Sequence, residues 1–319
     1  MSARPQEQST LDPRRPFTRA DAIAAGIDPG LLRGRRFRRI FKGVYISADV
    51  PPSPLHRVEA AVILHPPGAF ASHVSAARVY DVPVPHFADE HVSVVSENDR
   101  RRRAGIRCHV APRSTPVGRY RGIPVSMPVP MFIQLASMLS LVDLVIVGDA
   151  LVRRKACTPG ELVRACRESD HRHASAALAA AEYVRAGVDS PMETRLRLLL
   201  VLAGLPEPKV NHIIRSQDGR VLRRFDLSYP VLKLVVEYDG RQHAEDPDQY
   251  DSDIYRREEL DINRWRIVVI TAKGIFQRPE ETLARVTAAL RARGARGLPP
   301  HLDDAWRAHF PVQVPVRRT

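Results

Sequence analysis

Three carboxylates and a histidine lie in or just after two apolar segments of this 319-residue chain. Asp226 lies in the first segment, Glu237 and Asp239 lie at the end of the second, and His243 follows. Because successive side chains of a strand point to opposite faces, Glu237 and Asp239 share one face, and Asp226 meets Glu237 if the two strands pair. Two such carboxylates can share one Mg²⁺ or Mn²⁺ ion, which can activate water for hydrolysis of a phosphodiester.

Two further side chains are candidates for this site, and each has a structural alternative. Glu193 is predicted on the inward face of a helix, and in Ser190-x-x-Glu193 it can also cap that helix by accepting the Ser190 N–H, which is worth about 1 kcal/mol. The two roles are not exclusive. His243 is a candidate general base or phosphate donor, or else a surface loop histidine. The alternative for the acids is a structural network of ion pairs with the neighbouring arginines Arg223, Arg224 and Arg241.

The elements that must position these side chains occupy residues 190–293, in the predicted order α-β-β-β-α-β-α. The last strand is apolar enough to predict a central place in the sheet. A hairpin turn is predicted at Gln217-Asp218-Gly219. The strands are predicted at residues 210–214, 221–227, 232–239 and 265–271, and the helices at residues 190–204, 246–263 and 279–293.

The charge balance of the chain indicates a polyanionic partner. The chain has 49 Lys and Arg residues against 36 Asp and Glu residues, which gives a formal net charge of +13. Such an excess is typical of nucleic-acid-binding proteins, and an arginine-rich enzyme of ordinary function is the alternative. We therefore expect DNA as the partner.

The cysteines and the apolar stretches indicate where the protein acts. The three cysteines form no Cys-x-x-Cys pair, so neither a disulfide framework nor a structural zinc site is predicted. This pattern is typical of a reducing compartment. The most apolar stretch, residues 131–152, is interrupted by two aspartates and predicts a core helix rather than a membrane span. The sequence thus predicts a cytoplasmic protein without a membrane partner.

Positive charge is concentrated near the N-terminus. Residues 1–16 are predicted to be a disordered arm, and residues 17–50 a winged helix-turn-helix: a helix capped by Thr18, a second helix from Asp28-Pro29, and a basic β ribbon. The second helix would approach the major groove of DNA and the ribbon would contact the phosphates. The predicted DNA contacts of this region are Arg33, Arg35, Arg36, Arg38, Arg39 and Lys42.

Residues 51–187 are predicted to form a mixed α/β middle region, with helices at residues 54–64 and 72–80. Strands at residues 91–95 and 107–110 are predicted to form a hairpin whose tip carries four consecutive arginines. These arginines form either a solvated loop or a phosphate grip. Beside the basic ribbon the phosphate grip is the preferred interpretation, so the predicted DNA contacts also include Arg100, Arg101, Arg102 and Arg103. The chain is predicted to end in a Pro/Arg-rich tail over residues 295–319.

Residues 190–293 resemble the PD-(D/E)xK nuclease superfamily, and within it the small Vsr-like endonuclease domains. The resemblance is carried by Ser190-Pro191-x-Glu193, Phe225-Asp226-Leu227, Glu237-Tyr238-Asp239-Gly240-x-x-His243 and Trp265-Arg266-Ile267-Val268-Val269. It implies a restriction-endonuclease-like α-β-β-β-α-β core and a metal-dependent nuclease, with Asp226 and Glu237 as metal ligands and Glu193 as the helix acid.

The chain departs from the superfamily pattern at one position. Asp239 stands where a lysine is expected two residues after the second acid, and such a lysine helps to position the attacking water. An acid followed by a nearby histidine, here His243, is the pattern associated with the Vsr-like branch.

The front of the chain, about residues 15–110, is similar to AbiEi-type antitoxin proteins with an N-terminal winged helix. The similarity is carried by Phe17-Thr18-Arg19-Ala20-x-Ala22, Gly26 and Arg39-x-x-Lys42-Gly43-Val44-Tyr45. It implies DNA binding, and often autoregulation of a toxin operon, with a cognate toxin as a further partner.

These observations predict an α/β chain of the α+β multidomain type that binds DNA and carries a Mg²⁺- or Mn²⁺-dependent endodeoxyribonuclease domain. The alternative is a non-catalytic, antitoxin-like transcriptional regulator whose nuclease fold is degenerate. Asp239 at the lysine position favours the regulator. The retained acids Asp226, Glu237 and Glu193 favour the enzyme.

Overall fold

The computed structural model describes residues 11–215, 221–240 and 265–311. The chain divides into two compact units, Met1–Ser137 and Met138–Thr319. Both units contain helices and sheet, so the predicted α+β class is confirmed. No helix in the described part of the chain has the length and apolar character to cross a membrane. The predicted turn at residues 217–219, the predicted helix at residues 246–263 and His243 lie outside the described residues.

The first unit begins with a small antiparallel sheet in the order β1-β3-β2. Thr18 and Asp21 form the predicted capping box of the first helix. Phe17 and Phe37 meet edge to face in the small core, with ring centroids 5.4 Å apart. The elements are β1 (Phe17–Thr18), α1 (Arg19–Ala24), β2 (Phe37–Phe41) and β3 (Val44–Ser47).

The prediction of a second helix in the helix-turn-helix is wrong, because this segment forms only a single 3-10 turn, Leu31–Arg33. The Asp28 side chain accepts the backbone N–H of Gly30 at 2.7 Å, as a capping residue does, but only one turn follows it. Gly34 then adopts an extended conformation that leads into β2. The predicted basic ribbon is confirmed as the β2–β3 hairpin.

A five-stranded sheet with the order β6-β5-β4-β8-β7 forms the rest of the first unit. Strands β5 and β6 are parallel, so the predicted hairpin is wrong and residues 95–105 form a crossover connection. All five residues of β5 are buried, which is typical of a parallel strand covered on both faces. The elements are α2 (Pro54–Ile63), β4 (Phe70–Ala71), α3 (His73–Val79), β5 (Glu90–Val94), β6 (Ile106–Val110), β7 (Val117–Tyr120), β8 (Ile123–Ser126) and α4 (Pro128–Leu135).

The second unit combines helices with a four-stranded mixed sheet in the order β12-β11-β10-β9. Neighbouring strands are antiparallel except for β11 and β12, which are parallel. The elements are α5 (Leu141–Arg153), α6 (Pro159–Arg167), α7 (Ala174–Ala181), α8 (Pro191–Leu202), β9 (Lys209–Arg215), β10 (Val221–Tyr229), β11 (Leu234–Asp239), β12 (Arg266–Thr271), α9 (Ala272–Phe276) and α10 (Pro279–Ala292).

The prediction that β12 is central is wrong for the described part of this sheet, where β12 is the outer strand. Its burial alternates: Val268 and Ile270 are buried, whereas Val269 is exposed. Alternation of this kind is typical of a strand with one covered face.

The described part of the predicted tail packs against the second unit, because Trp306 and Phe310 are buried.

Candidate acidic metal site

The pairing of β10 with β11 places the two strand acids side by side. Leu227 pairs with Val236 in an antiparallel register, so one further step of that register sets Asp226 opposite Glu237. Side chains directly opposite each other have Cβ atoms about 4.5–5.5 Å apart. Both carboxylates are partly buried. The predicted strand pairing is confirmed, and the assignment of these acids as metal ligands stays a prediction.

Helix α8 begins over the same face of β10. Arg224 lies two residues before Asp226, hence on the same face, and its guanidinium forms an ion pair with Asp189 just before α8. The Ser190 hydroxyl accepts the N–H of Glu193 at 3.2 Å and caps the helix. Arg224 also donates to the Asn211 side chain at 3.0 Å. This contact fixes the start of α8. The alternative of an ion-pair network between the strand acids and the neighbouring arginines stays a prediction.

Glu193 is buried, with only 6% of its surface exposed. Its Oε2 accepts the backbone N–H of Asp189 at 3.1 Å, whereas the capping alternative predicted the N–H of Ser190 as the donor. Burial, and to a smaller extent the negative charge of Asp226, together raise the pKa of Glu193 to about 7. The helix acid therefore lies close enough to the strand acid for their charges to interact.

The raised pKa of Glu193 predicts how the stability of the metal-free protein depends on pH. The ordinary pKa is 4.5 and the folded-state pKa is about 7, so between these values the folded state binds more protons than the unfolded state. The free energy of unfolding therefore falls as the pH rises through this window. Glu193→Gln removes the dependence and is expected to gain up to about 3 kcal/mol relative to wild type above pH 7. Urea unfolding of both proteins in EDTA across pH 4.5–8 measures the difference, and parallel curves would contradict it.

The donor set fits Mg²⁺ as a two-carboxylate site. Burial is the main cause of the raised pKa of Glu193, and repulsion from Asp226 is the second, which a cation would relieve. Mg²⁺ needs only one or two protein carboxylates beside its waters. In the described residues no three acids have carboxylate oxygens within 4.8 Å of one another. Asp226 and Glu237 are therefore the residues that would hold the ion, and Glu193 interacts with Asp226 through its charge.

Asp239 closes β11 on the same face as Glu237 and is partly buried. The parallel register sets it beside Thr271 at the end of β12. A carboxylate at this position accepts hydrogen bonds, whereas the lysine of the superfamily pattern would donate them. His243 was predicted just beyond and lies outside the described residues.

A buried ion pair, which sequence reasoning missed, anchors α8. Arg197 is 0% exposed and lies 3.0 Å from Asp149 of α5 and 3.1 Å from Glu207. Asp149 also accepts from the Thr194 hydroxyl at 2.8 Å. Burial raises the pKa of Asp149, and the adjacent guanidinium opposes that shift. The only signal in the sequence was an arginine on the apolar face of a predicted helix.

The basic ribbon presents its charge to solvent with one exception. Arg38 is partly buried and donates to the Val50 carbonyl at 3.1 Å, and its predicted phosphate contact stays a prediction. Arg36 lies over the Phe37 ring, with its guanidinium carbon 5.7 Å from the centroid. The exposed cations of the predicted set are Arg33, Arg35, Arg36, Arg39 and Lys42.

The four consecutive arginines lie in the crossover before β6. Arg100 forms an ion pair with Glu97 at 2.9 Å, and Arg101 donates to the Asn98 carbonyl at 2.8 Å. Arg102 and Arg103 are exposed. The ion pair of Arg100 with Glu97 reduces the positive charge available for a phosphate, which favours the solvated-loop alternative for Arg100.

Comparison with known proteins gives no function. No family model matches the chain. Two curated proteins of Mycobacterium tuberculosis, the uncharacterized proteins MT2308 and Rv2248 of two strains, are each 27% identical over 266 residues, which is 81% of this chain and 94% of theirs. The crystal structure of RV2827C protein from Mycobacterium tuberculosis covers 63% of this chain and 84% of its own, with 15% identity and a TM-score of 0.37.

Proposed function

We propose that the chain is a DNA-binding protein whose residues 190–293 form a metal-dependent endonuclease domain that hydrolyses DNA phosphodiesters. The observation that carries the proposal is the juxtaposition of Asp226 with Glu237 across β10 and β11, with Glu193 buried beside them. The element order α8, β9, β10, β11 and, further along the chain, β12 also agrees with the core expected from the superfamily resemblance.

Each acid of the site has a proposed role in hydrolysis. Asp226 and Glu237 would hold the ion, and a bound Mg²⁺ or Mn²⁺ would supply a Lewis acid for the phosphate and a more acidic water. Glu193 has a pKa of about 7, so it can accept a proton near neutral pH and is the candidate general base. Asp239 and His243 are candidates for orienting the attacking water.

The exposed cations of the β2–β3 ribbon are proposed to hold the DNA backbone. Arg39→Gln with Lys42→Gln is expected to weaken DNA binding and to reduce the slope of log K against log salt concentration by about 0.9 for each phosphate that the variant no longer neutralises. Arg278→Gln, which removes an exposed charge from the other unit, is the control. A titration of duplex DNA at four salt concentrations measures the slope, and an unchanged slope in the double variant would place the DNA-binding cations elsewhere.

Plasmid cleavage tests the nuclease directly. Untagged protein is incubated with supercoiled plasmid and Mg²⁺ or Mn²⁺, and a parallel sample contains EDTA. Nicking or linearisation that EDTA removes supports the enzyme. Absence of cleavage on plasmid, mismatched duplex and single-stranded substrates, with DNA binding retained, would overturn it.

A second function, the antitoxin-like regulator with a cognate toxin as partner, is favoured by Asp239 at the lysine position. Both functions require DNA binding, so metal binding separates them. Titration of Mn²⁺ followed by electron paramagnetic resonance should show a bound ion that Asp226→Asn releases if the domain is an enzyme. Retained DNA binding without bound Mn²⁺ favours the regulator.

A further inference from the structure

Three histidines of the first unit converge at one point. Each of His73, His91 and His109 offers a ring nitrogen, and the three nitrogens lie within 4.8 Å of one another. Nε2 of His109 is 2.9 Å from Nδ1 of His91. The ring of His73 stacks on that of His109 with centroids 4.0 Å apart and an angle of 22°. In the described part of the chain, no other group of three His, Cys, Asp or Glu side chains converges in this way.

Parallel pairing of β5 and β6 creates this arrangement. Ser93 pairs with His109, and His91 lies two residues before Ser93, so His91 and His109 share one face of the sheet. His73 reaches the same place from the first position of α3, where its φ is +48°. That conformation is uncommon for residues other than glycine, and such strain concentrates at functional sites. The Gln134 side chain accepts the His73 N–H at 3.3 Å.

Buried hydroxyl groups orient the ring of His73. The hydroxyl of Ser72 lies 3.0 Å from Nδ1 of His73, and Ser93 donates to that hydroxyl at 2.8 Å. Partners of this kind fix the orientation of metal-binding histidines in known sites. His91 is itself buried, with 2% of its surface exposed, and its Nδ1 lies beside Nε2 of His109.

We propose that His73, His91 and His109 form a binding site for a divalent transition-metal ion, and that the ion is Zn²⁺. Imidazole nitrogens suit Zn²⁺, whereas Mg²⁺ prefers oxygen ligands. Three histidine ligands leave the fourth position of a tetrahedral zinc site for water or another small ligand. His109 is partly exposed, which provides a route of entry, while His73 and His91 are buried. This site is separate from the acids of the second unit and does not depend on the proposed function.

Metal titration of the untagged full chain tests the proposal. Zn²⁺ binding is measured by calorimetry, and Co²⁺ is used as a probe because tetrahedral Co²⁺ absorbs visible light. Both titrations are made in the Asp226→Asn background, so that ions at the acidic site do not contribute. We expect one ion per chain, with the visible absorption of four-coordinate Co²⁺.

Matched variants locate the ion. His109→Gln and His91→Gln are each expected to weaken binding by more than about 100-fold, since even the outer partners of metal ligands account for about 10–100-fold. Ser72→Ala should weaken it about 10-fold by releasing the His73 ring. His86→Gln changes an exposed histidine of the same unit and should bind like the parent.

Two results would overturn the proposal. One is a folded parent protein that binds neither Zn²⁺ nor Co²⁺, and its folding is checked by circular dichroism. The other is a bound ion that persists with unchanged affinity in folded His109→Gln. If the histidine variants fail to fold, Ser72→Ala decides, because Zn²⁺ affinity as high in this variant as in His86→Gln would place the ion away from the histidines.

Discussion

Asp226→Asn is expected to lower the rate of DNA cleavage by more than about 100-fold while DNA affinity stays within about 2-fold of wild type. The change preserves the shape of the side chain and removes one of the two carboxylates that face each other across β10 and β11. It also removes the charge that raises the pKa of Glu193, so the pKa of Glu193 should fall. Cleavage rates on plasmid, and the pH dependence of unfolding, measure the two effects.

The control for Asp226→Asn is Asp170→Asn, which removes an exposed carboxylate of the same unit. A general loss of negative charge would affect both variants equally, whereas loss of a metal ligand affects only the first. Cleavage by Asp226→Asn at the wild-type rate would show that the assigned site is wrong. A Glu193 pKa that did not change in Asp226→Asn would show that the two acids do not interact.

Arg197→Met is expected to destabilise the protein by about 3–5 kcal/mol, because it leaves a buried carboxylate without its cation. Arg197 and Asp149 are 0% and 3% exposed, and the guanidinium also bonds Glu207. Urea unfolding followed by circular dichroism measures the loss. Methionine is similar in length to arginine, so the change leaves little empty volume. The loss of stability therefore measures the effect of removing the positive charge.

Two comparisons separate the buried pair from charge in general. Arg278→Met breaks an exposed pair with Glu281 and should cost less than about 1 kcal/mol. Adding Asp149→Asn to Arg197→Met removes the unpaired carboxylate charge and should recover part of the lost free energy of unfolding. The recovered part measures the interaction energy between the two residues. A double variant as unstable as the sum of the two single variants would show that the pair is not coupled.

The acidic site was largely predictable from the sequence, since it depends on local rules. Side-chain alternation places Glu237 and Asp239 on one face, and the short chain between β10 and β11 favours an antiparallel pair. The position of Glu193 followed from the Ser190 cap and the apolar face of its helix. The raised pKa of Glu193 was not predictable, because it depends on burial by tertiary packing.

The convergence of the three histidines could not be predicted from local sequence patterns. His91 and His109 are on segments that were predicted to be strands, but only the parallel register brings their rings together, and a hairpin of the same segments would pair different residues. His73 joins them through a backbone conformation with positive φ, which no pattern of residue types in the sequence predicts. The partnership of Arg197 with Asp149 likewise joins α8 to α5, far apart in the sequence.

The burial of Trp306 near the end of the chain has a spectroscopic consequence. The chain has two tryptophans, Trp265 and Trp306, and both belong to the second unit. Trp306 is 3% exposed, so its emission should shift to longer wavelength when that unit unfolds. Intrinsic tryptophan fluorescence therefore reports the unit that carries the acids. Circular dichroism averages over both units, so any difference between the two transitions would reveal units that unfold separately.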